Sequence, residues 1–269
     1  MSKVGCVILS AGEGTRMKSE VPKMLFTICG KTIIEHVLDT VLKLEEIEKI
    51  YVVVGYKKDL IKSKIITSLS KKSLSKIVFV TQPKQLGSGD AVLKTKNFVS
   101  KNITSLLVIS GDVPLITKDT LKKLIETQKS SNVDSCVLSV EVPEPFSYGR
   151  IVRDSFGNFE KIVEEKDALL QEKSINEINS GIYVFKLPVL WENLKKITPE
   201  NKKREYYLTD VIKYSNTKTT FKIKNYLEVK GINTRADLAE VENVVREKLL
   251  YNLMLEGVSI YLPQTVYID

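Results

Sequence analysis

Four short runs of apolar, largely β-branched residues fail to alternate with polar ones, and turn-forming residues close each of them. They are Val7-Ile8-Leu9 before Ser10-Ala11-Gly12, Tyr51-Val52-Val53-Val54 before Gly55, Ile77-Val78-Phe79-Val80 before Thr81-Gln82-Pro83, and Leu106-Leu107-Val108-Ile109 before Ser110-Gly111-Asp112. A strand with one wet face alternates; one that does not is covered on both faces. Helical spacing falls between the runs, at Ile33, Ile34, Val37, Leu38, Val41, Leu42 and Leu44, and at Leu121, Leu124 and Ile125 behind a Thr117, Asp119, Thr120 start. Strands and helices in alternation predict a parallel sheet with right-handed crossovers, an α/β doubly wound fold. Ligands of such sheets bind beyond the carboxyl ends of the strands. The closing turn residues all lie at that edge.

The second half changes character. Segments near 135–142, 149–153, 158–163 and 178–186 read as strands with fewer helices between them, an elaboration that would cover a substrate. Residues 234–255 read as a strong amphipathic helix with Val241, Val244, Val245, Leu249 and Leu253 on one face and Gly257 as its stop. There is no internal repeat and no low-complexity tract.

With 269 residues, 43% of them hydrophobic, the chain can bury a substantial core. The net charge of +8 admits an anionic partner, but the lysines are scattered (Lys57, Lys58, Lys62, Lys64, Lys71, Lys72, Lys76) in what reads as a solvated surface. No zinc finger, RNP motif or recognition helix accompanies them, and Trp191 and the tyrosines form no stacking array, so no nucleic-acid partner is expected. Cys6, Cys29 and Cys136 are dispersed and make no CxxC motif. Cys6 reads as a buried small hydrophobe, and the odd count fits a reducing compartment. No signal peptide precedes Val4 and no apolar run nears the roughly 20 residues of a membrane span, so the expectation is a cytoplasmic protein with no membrane partner.

Ser10-Ala11-Gly12-Glu13-Gly14-Thr15-Arg16-Met17, followed by Pro22-Lys23, carries the most chemistry. Glycines after a buried strand let main-chain N–H groups approach phosphate oxygens. Arg16 offers a forked donor set, Lys23 a point charge, and Pro22 restricts the chain leading into it. The pattern is neither GxxxxGK[ST] nor GxGxxG, which sets aside P-loop and dinucleotide readings. Taken alone, the stretch is equally a tight turn with exposed cations.

The segment A-G-x-G-T-R-M followed by P-K resembles the signature of sugar-nucleotide pyrophosphorylases. So do Gln82-Pro83-Lys84-Gln85-Leu86-Gly87-Ser88-Gly89, Gly111-Asp112-Val113-Pro114, Tyr148-Gly149-Arg150-Ile151, Ile162-Val163-Glu164-Glu165-Lys166-Asp167-Ala168, Glu177-Ile178-Asn179-Ser180-Gly181 and Glu205-Tyr206-Tyr207-Leu208-Thr209-Asp210. In order and spacing they are similar to bacterial N-acetylglucosamine-1-phosphate uridylyltransferases, the amino-terminal half of bifunctional proteins, over nearly the whole chain. The resemblance implies a Rossmann-like mixed sheet flanked by helices, of the nucleotide-diphospho-sugar transferase type. It implies transfer of uridylyl from UTP to N-acetylglucosamine-1-phosphate, giving UDP-N-acetylglucosamine and pyrophosphate for cell-envelope polysaccharide precursors. Such chemistry needs positioning and cations more than a protein nucleophile. A chain with a single histidine, His36, to which we assign no role, and no Ser/His/Asp constellation is consistent with that.

By the same resemblance, Arg16 and Lys23 are the catalytic cations, and Asp112 and Asn233 hold Mg²⁺. Leu9, Ala11, Gly12, Gly14, Thr15 and Gly111 contact substrate. Gln82, Gly87 and Ser88 meet the uracil, and Gly149, Glu164 and Asn179 the sugar. Read from the residues alone, Asp112 is equally a turn-forming Asp before Val113-Pro114, Gln82 a polar strand end, Glu164 an exposed charge and Asn233 a helix N-cap.

Glu13 departs from the pattern: an acid beside a triphosphate weakens binding unless it points away or meets Mg²⁺ or Arg16. Ser10, Ser88 and Ser110 are mild departures. The expected organisation is a nucleotidylyltransferase domain over 1–235, a linker helix over 236–257 and, over 258–269, only the start of a left-handed β-helix. No acetyl transfer is expected of these residues, and without β-helix contacts a monomer is compatible with the chain. Two alternatives stand beside the uridylyltransferase: another sugar-1-phosphate nucleotidylyltransferase, and a non-catalytic nucleotide-sugar-binding regulatory subunit.

Overall fold

The structure, a computed structural model, describes residues 3–268. Its strands are β1 (Lys3–Ser10), β2 (Thr27–Ile28), β3 (Lys31–Thr32), β4 (Ile47–Val54), β5 (Ile77–Thr81), β6 (Ile103–Ser110), β7 (Ser135–Glu141), β8 (Gly149–Arg153), β9 (Phe159–Val163), β10 (Glu177–Lys186) and β11 (Lys218–Ile223). Its helices are α1 (Ile33–Leu42), α2 (Lys58–Ser68), α3 (Lys71–Leu74), α4 (Ser88–Thr95), α5 (Lys118–Ser130), α6 (Leu170–Lys173), α7 (Val189–Asn193) and α8 (Arg235–Leu255). Among the described residues the main sheet runs β11-β7-β10-β6-β1-β4-β5, with β8 joined to β10 and β9 to β8.

The four unalternated runs are the parallel strands β1, β4, β5 and β6, as expected. Val7 and Ile8, adjacent in sequence, point to opposite faces and are both fully buried, so both faces of β1 are covered. α1, α2 and α5 pack on one face through Val37, Ile61 and Leu124; α4, α7 and the 3-10 turns of Leu208–Tyr214 pack on the other through Val92, Leu190 and Val211. The register pairs Ser10 with Val54, Val54 with Thr81, and Leu9 with Ser110, which brings the carboxyl ends of all four strands to one edge.

The second half supplies the cover. β10 runs antiparallel to β6 and β7, and its register breaks between Asn179 and Tyr183. Before the break, Asn179 pairs with Gly149 of β8; after it, Tyr183 pairs with Val108 of β6. Gly181, at φ 77°, takes the left-handed conformation this switch requires. The β8–β9 hairpin thus extends the sheet from the first residues of β10, on the side that β6 takes after the break.

Helix α8 differs from the sequence expectation. Val241 and Leu250 are buried, but Val244, Val245, Leu249 and Leu253 are only partly so, and Arg246 is buried with its guanidinium 4.4 Å from the ring centre of Tyr267. The first turns of the helix pack on the loop after β1, through Val241 with Met17, Ile28 and Ile33. Beyond that cluster the sheet is out of reach, and the residues after α8 fold back on it in its place. Those residues carry a 3-10 turn at Pro263–Thr265. Asp269, the last residue of the expected β-helix start, lies outside the described residues.

Candidate active site

Gly14 adopts φ 67°, and a Cβ placed on it would lie 2.6 Å from Cβ of Lys23. Only a residue without a side chain lets the loop fold this closely over Lys23. The 3-10 turn Thr15–Met17 follows, with Met17 buried as its anchor and Arg16 exposed. Pro22 starts a second turn, Lys23–Leu25, closed by Leu25 N–H donating to Pro22 O at 2.9 Å. Glu13 is exposed and is not among the residues that line the cleft.

Lys23 is 8% exposed, and burying an ammonium this far requires a counter-charge. Its Nζ donates to Asp112 Oδ2 and, at 3.3 Å, to Asn233 Oδ1. Arg16 Nη2 donates to the same Asn233 oxygen at 2.7 Å, and Ser110 Oγ donates to Asp112 Oδ1 at 2.6 Å. Ile232 N–H donates to Asp112 O at 2.9 Å, which sets Asn233 beside Asp112. The N-cap of α8 is Thr234, whose hydroxyl accepts from Asp237 N in a capping box, so Asn233 is not the cap and its side chain faces the cleft. A carboxylate and a carboxamide oxygen therefore converge on one point where a lysine ammonium stands. That donor set fits a hard divalent cation such as Mg²⁺, which takes oxygen ligands and completes its shell with water and substrate phosphates. Among the described residues no group of three or more His, Cys, Asp or Glu offers a competing metal site.

On one side of this point lies a cavity of about 420 Å³ walled by Leu9, Ala11, Gly12, Gly14, Thr15, Arg16, Lys23, Gln82, Gly87 and Ser88. Gly87 has φ 113°, and a Cβ there would lie 2.6 Å from Tyr206 O; its loop is stitched to the 206–208 segment by Tyr206 N–H to Leu86 O and Gly89 N–H to Tyr206 O, both 2.8 Å, and by Leu208 N–H to Ser88 Oγ at 3.0 Å. Gln85 Nε2 donates to Ala11 O at 2.9 Å and ties this loop to the glycine loop.

On the other side lies a cavity of about 270 Å³ that shares Leu9, Ser88, Ser110, Asp112 and Asn233 with the first and adds Gly149, Glu164 and Asn179. Thr209 Oγ1 donates to Glu164 Oε1 at 3.0 Å, leaving Oε2 to accept from a ligand. Burial raises the Glu164 pKa above the ordinary carboxylate value; the Thr209 hydrogen bond and Lys203 oppose this, and the charges of Asp210 and Asp167 add to it. Asn179 is fixed at both ends: its Nδ2 donates to Tyr183 Oη at 2.8 Å and its Oδ1 accepts from Gly181 N at 3.1 Å. A third cavity, about 450 Å³, lies behind Glu164 and Thr209; its charged lining is mixed, with Asp167, Glu200 and Asp210 beside Lys161 and Lys213.

Every site residue predicted from the sequence lines one of the two joined cavities except Gly111. It sits beneath them, donating to Leu9 O at 2.9 Å, where a Cβ would lie 2.4 Å from Ser10 Oγ. Gln85, Thr209 and Tyr183 were missed. Gln85 and Thr209 fall inside the motif stretches, which is the signal that flags them; Tyr183 lies just past one and carries none. His36, given no role, bonds through Nε2 to Ile28 O at 2.9 Å as a structural residue. Cys6 and Cys136 are buried thiols, and burial pushes that of Cys136 up to about 12.

The chain is 44% identical to the bifunctional protein GlmU of Pseudothermotoga lettingae over 98% of its own length and 56% of that protein's. It is 39% identical to the bifunctional protein GlmU of Limosilactobacillus reuteri and 40% identical to that of Shouchella clausii, each over 100% of this chain and 58% of the relative. The chain thus spans little more than half the length of these relatives. A solved UDP-glucose pyrophosphorylase complexed with UDP-glucose superposes with a TM-score of 0.73 at 22% identity, covering 92% of this chain and 100% of that one, and shares its fold. The model of the nucleotidyl transferase family matches residues 5–226, and the chain belongs to that family.

Proposed function

We propose that this chain transfers uridylyl from UTP to N-acetylglucosamine-1-phosphate, releasing pyrophosphate and giving UDP-N-acetylglucosamine. One observation carries the reading. A cavity lined by cations and glycine backbone and a cavity lined by a carboxylate and an amide meet at Asp112 and Asn233, the two residues that Lys23 holds. The first suits a nucleoside triphosphate, the second a polyhydroxylated sugar.

Arg16, Lys23 and the N–H groups of the glycine loop hold the triphosphate. The base lies against Gln82, Gly87 and Ser88. Glu164 and Asn179 hold sugar hydroxyl and amide groups, directing the sugar phosphate at the junction. A phosphate oxygen of the sugar-1-phosphate forms a bond to the α-phosphorus as the bond to the β-phosphate breaks, and pyrophosphate carries the electron pair away. Arg16 and Lys23 stabilise the charge that builds on the transferring group. Asp112 and Asn233 would hold Mg²⁺, which supplies further charge neutralisation at the phosphates.

Both substrates are small anionic metabolites, and we place the protein in the cytoplasm with them; no helix of the described residues is long and apolar enough to cross a membrane. The test is release of pyrophosphate from UTP and N-acetylglucosamine-1-phosphate with magnesium, against glucose-1-phosphate and the other nucleoside triphosphates. Release with N-acetylglucosamine-1-phosphate and UTP above every other pair is expected; no activated sugar from any pair sinks the reading.

A further inference from the structure

Gln82 is 3% exposed and has its amide nitrogen fully committed. Nε2 donates to Gly87 O at 3.1 Å and to Asp90 Oδ2 at 2.8 Å. A carbonyl and a carboxylate can only accept, so both amide hydrogens are used and the amide has one orientation. Oε1 accepts from no group among the described residues, and it is not a sealed polar atom, so it opens to the nucleotide cavity that Gln82 lines. A carboxamide ordinarily offers a donor and an acceptor. Here it presents an acceptor alone.

Asp90 is itself held. It lies in the first turn of α4, where a negative charge is favoured, is 8% exposed, and its Oδ1 pairs with Lys94 at 3.2 Å. We propose that Asp90 is a specificity-determining positioning residue: by fixing the Gln82 amide with its acceptor toward N3 of the base, it makes the site favour uracil, which carries a hydrogen there, over cytosine, which has a lone pair there and its nearest donor one position away, on N4. Two acceptors brought face to face repel, and a buried polar group left unpaired costs about tenfold or more in affinity. The inference rests on the reading of Gln82 as the base contact.

Equilibrium binding of UTP and of CTP, each with magnesium and without sugar phosphate, tests it in the wild-type protein and in Asp90→Asn and Asp90→Ser. Both substitutions remove the charged acceptor, the stronger half of the lock, and leave only the neutral Gly87 carbonyl to commit the Gln82 amide. Wild-type protein should prefer UTP by about tenfold or more, and the variants should lose most of that preference while keeping a wild-type melting temperature. A residue that merely supported the fold would weaken both nucleotides in parallel. Preference retained in both variants, or parallel loss, overturns the role of Asp90 and leaves uridylyl transfer standing. Wild-type protein that binds no nucleoside triphosphate overturns the transfer reading and this inference with it.

Discussion

Arg16 and Lys23 donate to one oxygen, Oδ1 of Asn233, from two successive 3-10 turns of the loop after β1, at 2.7 and 3.3 Å. Lys23 also holds Asp112. The two cations assigned to the triphosphate therefore rest on the two oxygens assigned to the metal. Nucleotide must draw the cations away before a metal can take their place. Mg²⁺ or Mn²⁺ alone should bind weakly, and UTP should raise metal affinity by about tenfold or more, as a coupling of 1–3 kcal/mol gives. Titration of Mn²⁺ by electron paramagnetic resonance, with and without UTP, reads this directly. Equal affinity in both arms would show that the cations do not block the site.

The pairing of Asp112 with Lys23 and the metal ligation proposed for it separate by mutation. Asp112→Asn keeps an oxygen acceptor for Lys23 but removes the charge, and turnover should fall about a hundredfold or more, the scale of losing a group aimed at the transition state. Asp112→Ala leaves the buried Lys23 ammonium without its counter-charge and should cost about 3 kcal/mol of stability. Adding Lys23→Met to Asp112→Ala should recover most of that loss. Urea midpoints of the three proteins decide it; a double variant no more stable than the single one means the pair is not the source.

The sheet and the loop after β1 were legible in the sequence because strands covered on both faces lose their alternation, and the closing turns mark the carboxyl edge. Asn233 was not legible from its own surroundings. Its neighbour Thr234 can cap α8 equally well, and only the structure shows that Thr234 does so. Gln85 acts through a carbonyl 74 positions away, a relation no local pattern encodes. Asn179 is aimed by a register break in β10, and a strand pattern says nothing about where its neighbours change. The apolar stripe of α8 misled for a related reason: periodicity marks a face and cannot say how far along it another element will reach.

Gly14→Ala should disturb the nucleotide side alone. The left-handed backbone costs a non-glycine residue about 1 kcal/mol, and the added methyl must displace Lys23, whose Cβ would lie 2.6 Å away. KM for UTP should rise about tenfold, with KM for the sugar phosphate near the wild-type value. Parallel rises in both constants would point to general unfolding of the site instead.

The raised pKa of Glu164 predicts a pH signature. As pH falls, this carboxyl takes up a proton before an ordinary one does, and a protonated carboxyl is a poorer acceptor for sugar hydroxyls. KM for the sugar phosphate should therefore climb on the acid side from a pH above the usual carboxylate value. Glu164→Gln should remove that limb while keeping the limb from the substrate's own phosphate. The stability term has the opposite sense to a salt-bridged acid: it is present below the ordinary carboxylate pKa and lost as pH rises through the raised one. A variant with the wild-type acid limb would show that another group titrates there.

Glu177 behaves the other way. Burial raises its pKa, but the hydrogen bonds from Arg153 and Ser139 outweigh burial and hold it below the ordinary value. Arg153 Nε donates to Oε2 at 2.9 Å and Nη2 to Oε1 at 2.7 Å, a forked pair that joins β8 to the start of β10, two residues before Asn179. Because the folded pKa is lowered, the stabilisation is present above the unfolded value and lost as pH falls through the folded one. Arg153→Met should therefore cost about 3 kcal/mol near pH 7, since it leaves a buried carboxylate without its forked cation and with only the Ser139 hydroxyl hydrogen-bonded to it. Its deficit against wild type should shrink as Glu177 protonates at acid pH. It should also raise KM for the sugar phosphate, as the β8–β10 junction carries both Gly149 and Asn179. Urea denaturation of both proteins at neutral and acid pH gives the comparison, and a deficit that does not change with pH would mean that Arg153 stabilises by packing rather than by its charge.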